Sequence, residues 1–333
     1  MPNGRGMRER TRSVVASAAV ALLASLCCGH ASAQTYPTKP IRMIVPWPAG
    51  GGTDIVARTV AQKMSEALPH QVLVDNRPGA AAIIGTELAA KAAPDGYTLL
   101  MGNLGPNAAN QSLYRKLPYD CIRDFAPVSH VASAPYIAVV HPSVPARTVA
   151  ELIALARSRP GKINFGSGGI GSPPHLAAEL FASMAKIRME HIPYKGGAAH
   201  TAALVGGEVD LTLNSPLEVL PHVRSKRLRA LGVGTSKRIA LAPEIPTIAE
   251  SGLPGYEFAV WWGVLSPANT PSDIVSRVHA EVVKALQAPN VRERLNGQGA
   301  VIIASTPGEF AKFIQSEVQK WARVVKEAGI PVQ

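Results

Sequence analysis

Twice in this chain a run of glycines separates an apolar strand from a helix, and that arrangement leaves few folds open. The first run is Pro46-Trp47-Pro48-Ala49-Gly50-Gly51-Gly52-Thr53-Asp54, entered from the apolar stretch Ile41 to Val45. Its glycines carry no Cβ, so a ligand can approach the main chain, and glycine takes up positive φ at no steric cost. Thr53 reads as the cap of the helix that follows. A helix N-terminus leaves about four N–H groups unpaired and carries roughly half a positive charge, which suits a carboxylate or a phosphate. The loop could also be a tight strand-to-helix connection and nothing more. It lacks the Lys that follows the last glycine of a P-loop, which argues against a nucleoside triphosphate.

The second run is Gly166-Ser167-Gly168-Gly169-Ile170-Gly171-Ser172-Pro173-Pro174-His175, again between a strand and a helix. Gly166, Gly168 and Gly171 match G-x-G-x-x-G, and Glu190 stands at about the distance of a ribose-binding acid, so a dinucleotide site is a rival reading. Against it, Glu190 sits inside its strand instead of at the end. Ser167 and Ser172 more simply add hydroxyls to a second helix N-terminus.

Around these loops the chain alternates apolar strands with amphipathic helices. Ile55, Val56, Val60, Met64 and Leu68 mark one buried helix face, and Gln71–Asp75 and Tyr97–Gly102 read as the next strands. The same alternation restarts after Val128–Val140, which reads as two short strands broken at Ala134-Pro135. Glu257–Leu265 reads as a strand returning to the first domain, followed by helices over Pro271–Ala288 and Pro307–Ala328. The pattern predicts two α/β domains built on parallel sheets, residues 36–137 plus 258–333 and residues 138–257, with a cleft at the carboxyl ends of their strands.

Of the 333 residues, 47% are hydrophobic and 17% charged, enough for two ordinary cores. Arg5, Arg8, Arg10 and Arg12, the apolar run Val14–Leu26 and Ala31-Ser32-Ala33 have the form of a secretory signal peptide over residues 1–33. A membrane anchor needs about twenty apolar residues, more than this run offers. Cys27 and Cys28 raise lipidation, but Leu26 stands where a small residue belongs. Cleavage removes four Arg and Glu9, taking the net charge from +11 to +8. Lys and Arg are scattered, so nucleic acid is not an expected partner. Cys121 alone remains of the three cysteines, and no disulfide can form within the mature chain. There is no G-x-S-x-G elbow and no H-E-x-x-H, and the histidines show no metal-ligand spacing, so neither metal nor cofactor is expected. Trp261-Trp262 reads as core or domain-crossing packing.

The run Tyr36-Pro37 to Lys39-Pro40-Ile41, the loop Pro46–Asp54, Asn76-Arg77-Pro78-Gly79-Ala80, Pro94–Leu99, Asp124–Val128, Gly166–His175, Pro193–Gly197 and Pro243–Thr247 together resemble the Bug (TctC-like) family. These are periplasmic solute-binding receptors of tripartite tricarboxylate transporters. The resemblance spans the mature chain. It implies an α/β, type II periplasmic-binding-protein fold whose two α/β domains close on a small organic mono- or dicarboxylate. It also implies a non-enzymatic, monomeric receptor that delivers its ligand to membrane permease subunits.

On this sequence the implied ligand-binding positions are Pro48, Ala49, Gly50, Gly51, Gly52, Thr53 and Asp54 of the first loop, with Ala80 and Asn103. From the second half come Ser167, Gly168, Gly171, Ser172, Pro173 and His175, then Tyr194, Gly196, Gly197 and Asn214. Two departures stand out. Ala81, Ala82 and Ile83 fill a loop where the family commonly has a glycine pair, and Asn214 stands where many members have Asp. The second change predicts no strong preference for an ammonium group, so that non-amino organic acids bind better than amino acids. An exported α/β enzyme for a small anionic substrate and a receptor that signals to a membrane sensor are the competing functions.

Overall fold

The structure, a computed structural model, describes residues 36–333. The expected signal peptide over residues 1–33 lies outside the described residues. Residues 39–333 form one compact unit that contains two sheets.

The first half opens with β1 (Ile41–Val45), α1 (Gly52–Ala67), β2 (Val72–Asn76), α2 (Ile83–Ala90) and β3 (Thr98–Asn103). Ile41, Met43, Ile44 and Val45 are fully buried, as are Leu99, Leu100 and Met101. Near-continuous apolar strands of this kind are what a sheet covered on both faces requires. A π-helical turn over Gly105–Ala109 and a short α3 (Asn110–Leu113) follow β3. The sequence pattern gave no sign of either.

β4 (Phe125–Pro135) runs through Tyr136 straight into β5 (Ile137–Val140), so one pass of chain gives a strand to each sheet. The second half then continues through α4 (Val149–Ser158), β6 (Asn164–Ser167), α5 (Pro173–Ala185), β7 (Glu190–Pro193), α6 (Gly197–Val205), β8 (Leu211–Asn214), α7 (Pro216–Arg224) and β9 (Arg229–Val233). β10 (Ala259–Pro267) returns the chain to the first sheet, and α8 (Ser272–Gln287), α9 (Pro289–Gly297), β11 (Val301–Ile302) and α10 (Pro307–Glu327) complete it.

Strand order is β11-β4-β10-β3-β1-β2 in one sheet and β7-β6-β8-β5-β9 in the other. Neither sheet is purely parallel, contrary to the sequence expectation. β10 is antiparallel to β3 and β4, and β5 is antiparallel to β8 and β9. The reason is the pair of crossings. A strand that arrives from the other sheet enters from the cleft side and runs against its neighbours.

The crossings are tied together by main-chain hydrogen bonds. Tyr136 N–H donates to Phe258 O, Gly234 N–H to Tyr136 O and Phe258 N–H to Gly234 O. Behind the first sheet, His130 stacks on Phe313 at 4.5 Å, and Trp261 meets Phe310 edge-on at 5.6 Å. The second core gathers Ile137, Val139, Leu204, Val219, Leu220, Val233 and Ile245. Among the described residues no helix is long and apolar enough to cross a membrane.

Candidate functional site

Gly50 is the glycine of the first loop that needs its freedom, at φ +86°. The cap of α1 is Gly51, in an extended conformation, and not Thr53 as the sequence suggested. Thr53 lies inside the first turn, where its Oγ1 accepts from Asn103 Nδ2 at 3.0 Å and Trp262 Nε1 at 3.1 Å. This hydroxyl ties together α1, the end of β3 and β10.

Asp54 turns away from the cleft. Its carboxylate accepts from Gly50 N–H at 3.0 Å, Arg58 Nε at 2.9 Å and Asn76 Nδ2 at 2.9 Å. Burial alone would raise its pKa, but the hydrogen bonds from Arg58, Gly50 and Asn76 outweigh burial and hold it below the usual carboxylate value. Asp54 is therefore an ionised brace that fixes the loop's shape.

The second loop has a brace of its own. Ser167 Oγ lies 2.6 Å from His191 Nε2 and accepts from Gly169 N–H at 3.0 Å. His175 Nδ1 accepts from Gly171 N–H at 3.3 Å. Burial lowers the pKa of His175 to about 3 and of His191 to about 4, so both rings are neutral near pH 7. Ser172 caps α5 without a side-chain cap bond, and its buried hydroxyl lines the cleft with no partner.

The two loops face each other across an inner cavity of about 40 Å³. Of the implied ligand-binding positions, Gly51, Gly52, Thr53, Asn103, Gly168, Ser172, Pro173, Gly197 and Asn214 line it. Pro48, Ala80, Tyr194 and Gly196 border a second space of about 670 Å³, which shares Trp47 and Gly168 with the first. Ala49, Gly50, Asp54, Ser167, Gly171 and His175 line neither. Four of those six, Gly50, Asp54, Ser167 and His175, take part in the hydrogen bonds that brace the two loops. The inner cavity is large enough for ordered water and too small for an organic acid, so this arrangement is a shut cleft.

Contacts between the halves agree with that. Tyr114 Oη donates to Ile170 O at 2.9 Å, and a Cβ built on Gly196 would lie 2.8 Å from Pro48 Cδ. At the border of the outer space Ala80, Ala81 and Ala82 have φ of +45°, +49° and +75°. Left-handed backbone costs roughly 1–2 kcal/mol per residue with a side chain.

Sequence reasoning missed Glu218, Trp262, Tyr136 and His200, all of which line the inner cavity. Glu218 is the most consequential. Ser215-Pro216-Leu217-Glu218 reads as a capping box, in which Glu218 would fold back on its own helix. Instead its Oε1 reaches across the cleft to accept from Gly52 N–H at 2.9 Å, the first residue of α1, while Oε2 accepts from Asn214 Nδ2 at 3.1 Å. Burial raises its pKa against the lowering effect of those hydrogen bonds. Asn214 thus brings no acid to the end of β8, but a carboxyl group stands beside it all the same. Among the described residues no group of three or more His, Cys, Asp or Glu is placed to hold a metal ion. Cys121 is buried with its Sγ 3.3 Å from Pro106 O, and burial pushes its thiol pKa far up, which makes it inert.

Comparison with known proteins places this geometry. The family model described as tripartite tricarboxylate transporter family receptor matches residues 56–330. Protein BugT of Bordetella pertussis is 40% identical over 299 residues, covering 90% of this chain and 92% of that one. The solved structure of R. palustris Rpa4515 with adipate superposes with a TM-score of 0.86 at 36% identity, covering 89% and 99% of the two chains. MatC from Rhodopseudomonas palustris with bound malate gives 0.84 at 31%, covering 87% and 100%. The structure of periplasmic binding protein BugD also superposes with a TM-score of 0.86, at 32% identity over 90% of this chain and 100% of that one, so the α/β architecture is shared with a Bug protein. From the match over most of its length and from its two-sheet cleft, the chain belongs to the Bug/TctC family of tripartite tricarboxylate transporter receptors.

Proposed function

We propose that this protein is a periplasmic solute-binding receptor that closes its two α/β halves, residues 36–137 plus 258–333 and residues 138–257, on a small organic carboxylate. After export and removal of residues 1–33 it hands that ligand to the permease subunits of a tripartite tricarboxylate-type transporter. It captures without turning over.

The observation that carries this reading is the inner cavity itself. It is walled by the N-termini of α1, α5 and α6, with the hydroxyl of Ser172 unpartnered and the amide of Asn103 beside it. No Lys or Arg lines it. Helix N-termini and neutral donors hold an anion reversibly, which suits a carrier that must also release. The adipate and malate seen in two relatives fit that chemistry.

Native mass spectrometry of the protein purified without refolding, with thermal shift against a panel of unmodified mono- and dicarboxylates, tests the reading. A bound acid recovered intact supports it. At 100 times its dissociation constant such a ligand adds about 2.7 kcal/mol to stability. Steady conversion of the bound acid to product would instead make the protein an enzyme.

A further inference from the structure

Glu218 is a carboxyl group in a carboxylate receptor's cleft, and it has no cation. Among the described residues it forms no ion pair with Lys, Arg or His. It is half-buried, lines the inner cavity, and belongs to the half opposite the α1 N-terminus it touches. A Cβ on Gly197 would come within 3.0 Å of its Oε1, so this carboxyl is seated tightly against the start of α6 as well. A carboxyl group that a binding cleft holds with hydrogen-bond donors but no cation is placed to act on whatever enters the cleft.

The direction of every hydrogen bond around it can be assigned. His200 is fully buried and neutral, with its Nδ1 donating to Gly196 O at 3.1 Å. Its Nε2 is then an acceptor, and it takes a proton from Asn214 Nδ2 at 3.0 Å. That fixes the Asn214 amide with its NH₂ toward His200, Glu218 and Thr201 Oγ1, the last at 3.2 Å, while Asn214 Oδ1 accepts from Ser215 N–H at 2.8 Å. Gly52 N–H can only donate. Gly52 N–H and Asn214 Nδ2 therefore both give Glu218 a hydrogen, the Ser215 hydroxyl beside it can only add another, and a carboxylate's lone-pair sites leave room for a donor from the cleft.

We propose that Glu218 sets the chemical class of the ligand. One end of the captured acid is a hydrogen-bond donor, an ammonium or a hydroxyl, set against Glu218, so the cleft takes amino- or hydroxy-monocarboxylic acids in preference to dicarboxylates. A second ionised carboxylate at that end meets Glu218 as a like charge with no cation between them, and repulsion of that kind is how binding sites reject the wrong ligand. The expectation drawn from Asn214 is reversed, because the acid missing from the end of β8 is supplied from the first turn of α7. The proposal rests on the receptor reading and specifies its ligand.

The test is calorimetric titration of the wild type and Glu218→Gln at pH 7.5 with four- and six-carbon straight-chain acids whose far end is amino, hydroxyl, methyl or carboxyl. The expected result on the wild type is that an amino or hydroxy acid binds more tightly than the methyl and carboxyl acids of the same length. Which of the two wins tells ammonium from hydroxyl. In Glu218→Gln that preference over the dicarboxylate falls by about tenfold or more. Succinate or adipate as the tightest wild-type ligand overturns the proposal while leaving the receptor reading in place, as does an unchanged ranking in the variant. Failure of both proteins to bind any acid of the panel counts against the receptor reading, and the proposal falls with it. Should the variant not fold, the wild-type ranking decides alone.

Discussion

At Gly52 an added Cβ would lie 3.1 Å from Glu218 Oε1, 3.2 Å from Trp262 Cζ2 and 3.3 Å from Ser215 Oγ, whereas at Gly51 the nearest atom is 3.9 Å away. Neighbouring glycines of one loop thus do different work. Gly52 must be bare for the halves to meet, and Gly51 is an extended residue with ordinary room. Gly52→Val is expected to weaken ligand capture by about five- to 150-fold, the equivalent of 1–3 kcal/mol of overpacking, with Gly51→Ala near wild type in the same titration. Equal losses at both positions would show that the loop recognises its ligand by backbone freedom and not by closeness. The sequence marked all three glycines alike. What separates them comes from Glu218, 166 residues further on, and from Trp262, which reaches Thr53 across 209. Spacing along a chain carries no trace of such contacts.

Between β2 and α2 the chain makes a left-handed turn of three alanines, and this element bears the clearest local strain in the described residues. Glycine meets the same φ without a Cβ clash, although it loses more freedom on folding. Ala81→Gly is therefore expected to stabilise the protein by up to about 1 kcal/mol, read as a higher urea midpoint at unchanged slope. A lower midpoint would mean that the side chain's contacts outweigh the strain. The alanines that crowd this loop in the sequence do so in the positions where glycine is the default residue, which is the physical content of that departure from the family pattern. Most elements were legible because their signals are local: apolar runs for β1 and β3, one apolar face for α1 and α10, glycines and prolines between them. The π-helical turn at Gly105–Ala109 and the antiparallel direction of β5 and β10 were not. The turn depends on Asn107 Oδ1 accepting from Asn103 N–H at 3.1 Å, and strand direction depends on which sheet the chain has just left.

For the molecule as a whole, acid is the expected weakness. Burial lowers the pKa of His130, His191 and His200 to about 4 and of His175 to about 3, against about 6.5 in the unfolded chain. Each ring is neutral when folded and binds a proton on unfolding, so its contribution to stability is complete above pH 6.5 and drains away as the pH falls toward 4. His222 and His279, also lowered by burial, add to this, and Glu179 and Glu218, raised by burial, act in the opposite sense. Asp54, held below its usual value, loses its contribution only at still lower pH. The urea midpoint is expected to drop between pH 7.5 and pH 5, and a flat profile would refute the assignment of four neutral buried histidines. The four tryptophans of the chain fall into two kinds of setting. Trp261 and Trp321 are sealed in the first core, both within 3.3 Å of Glu317 Oε2, while Trp47 and Trp262 form part of the cleft wall. Two of the four indoles thus have surroundings that the cleft cannot alter, and two are rings that a solute must pass or touch. The molecule carries its own optical reference and its own optical sensor, and the arrival of a solute can be timed in unlabelled protein by the ratio between them.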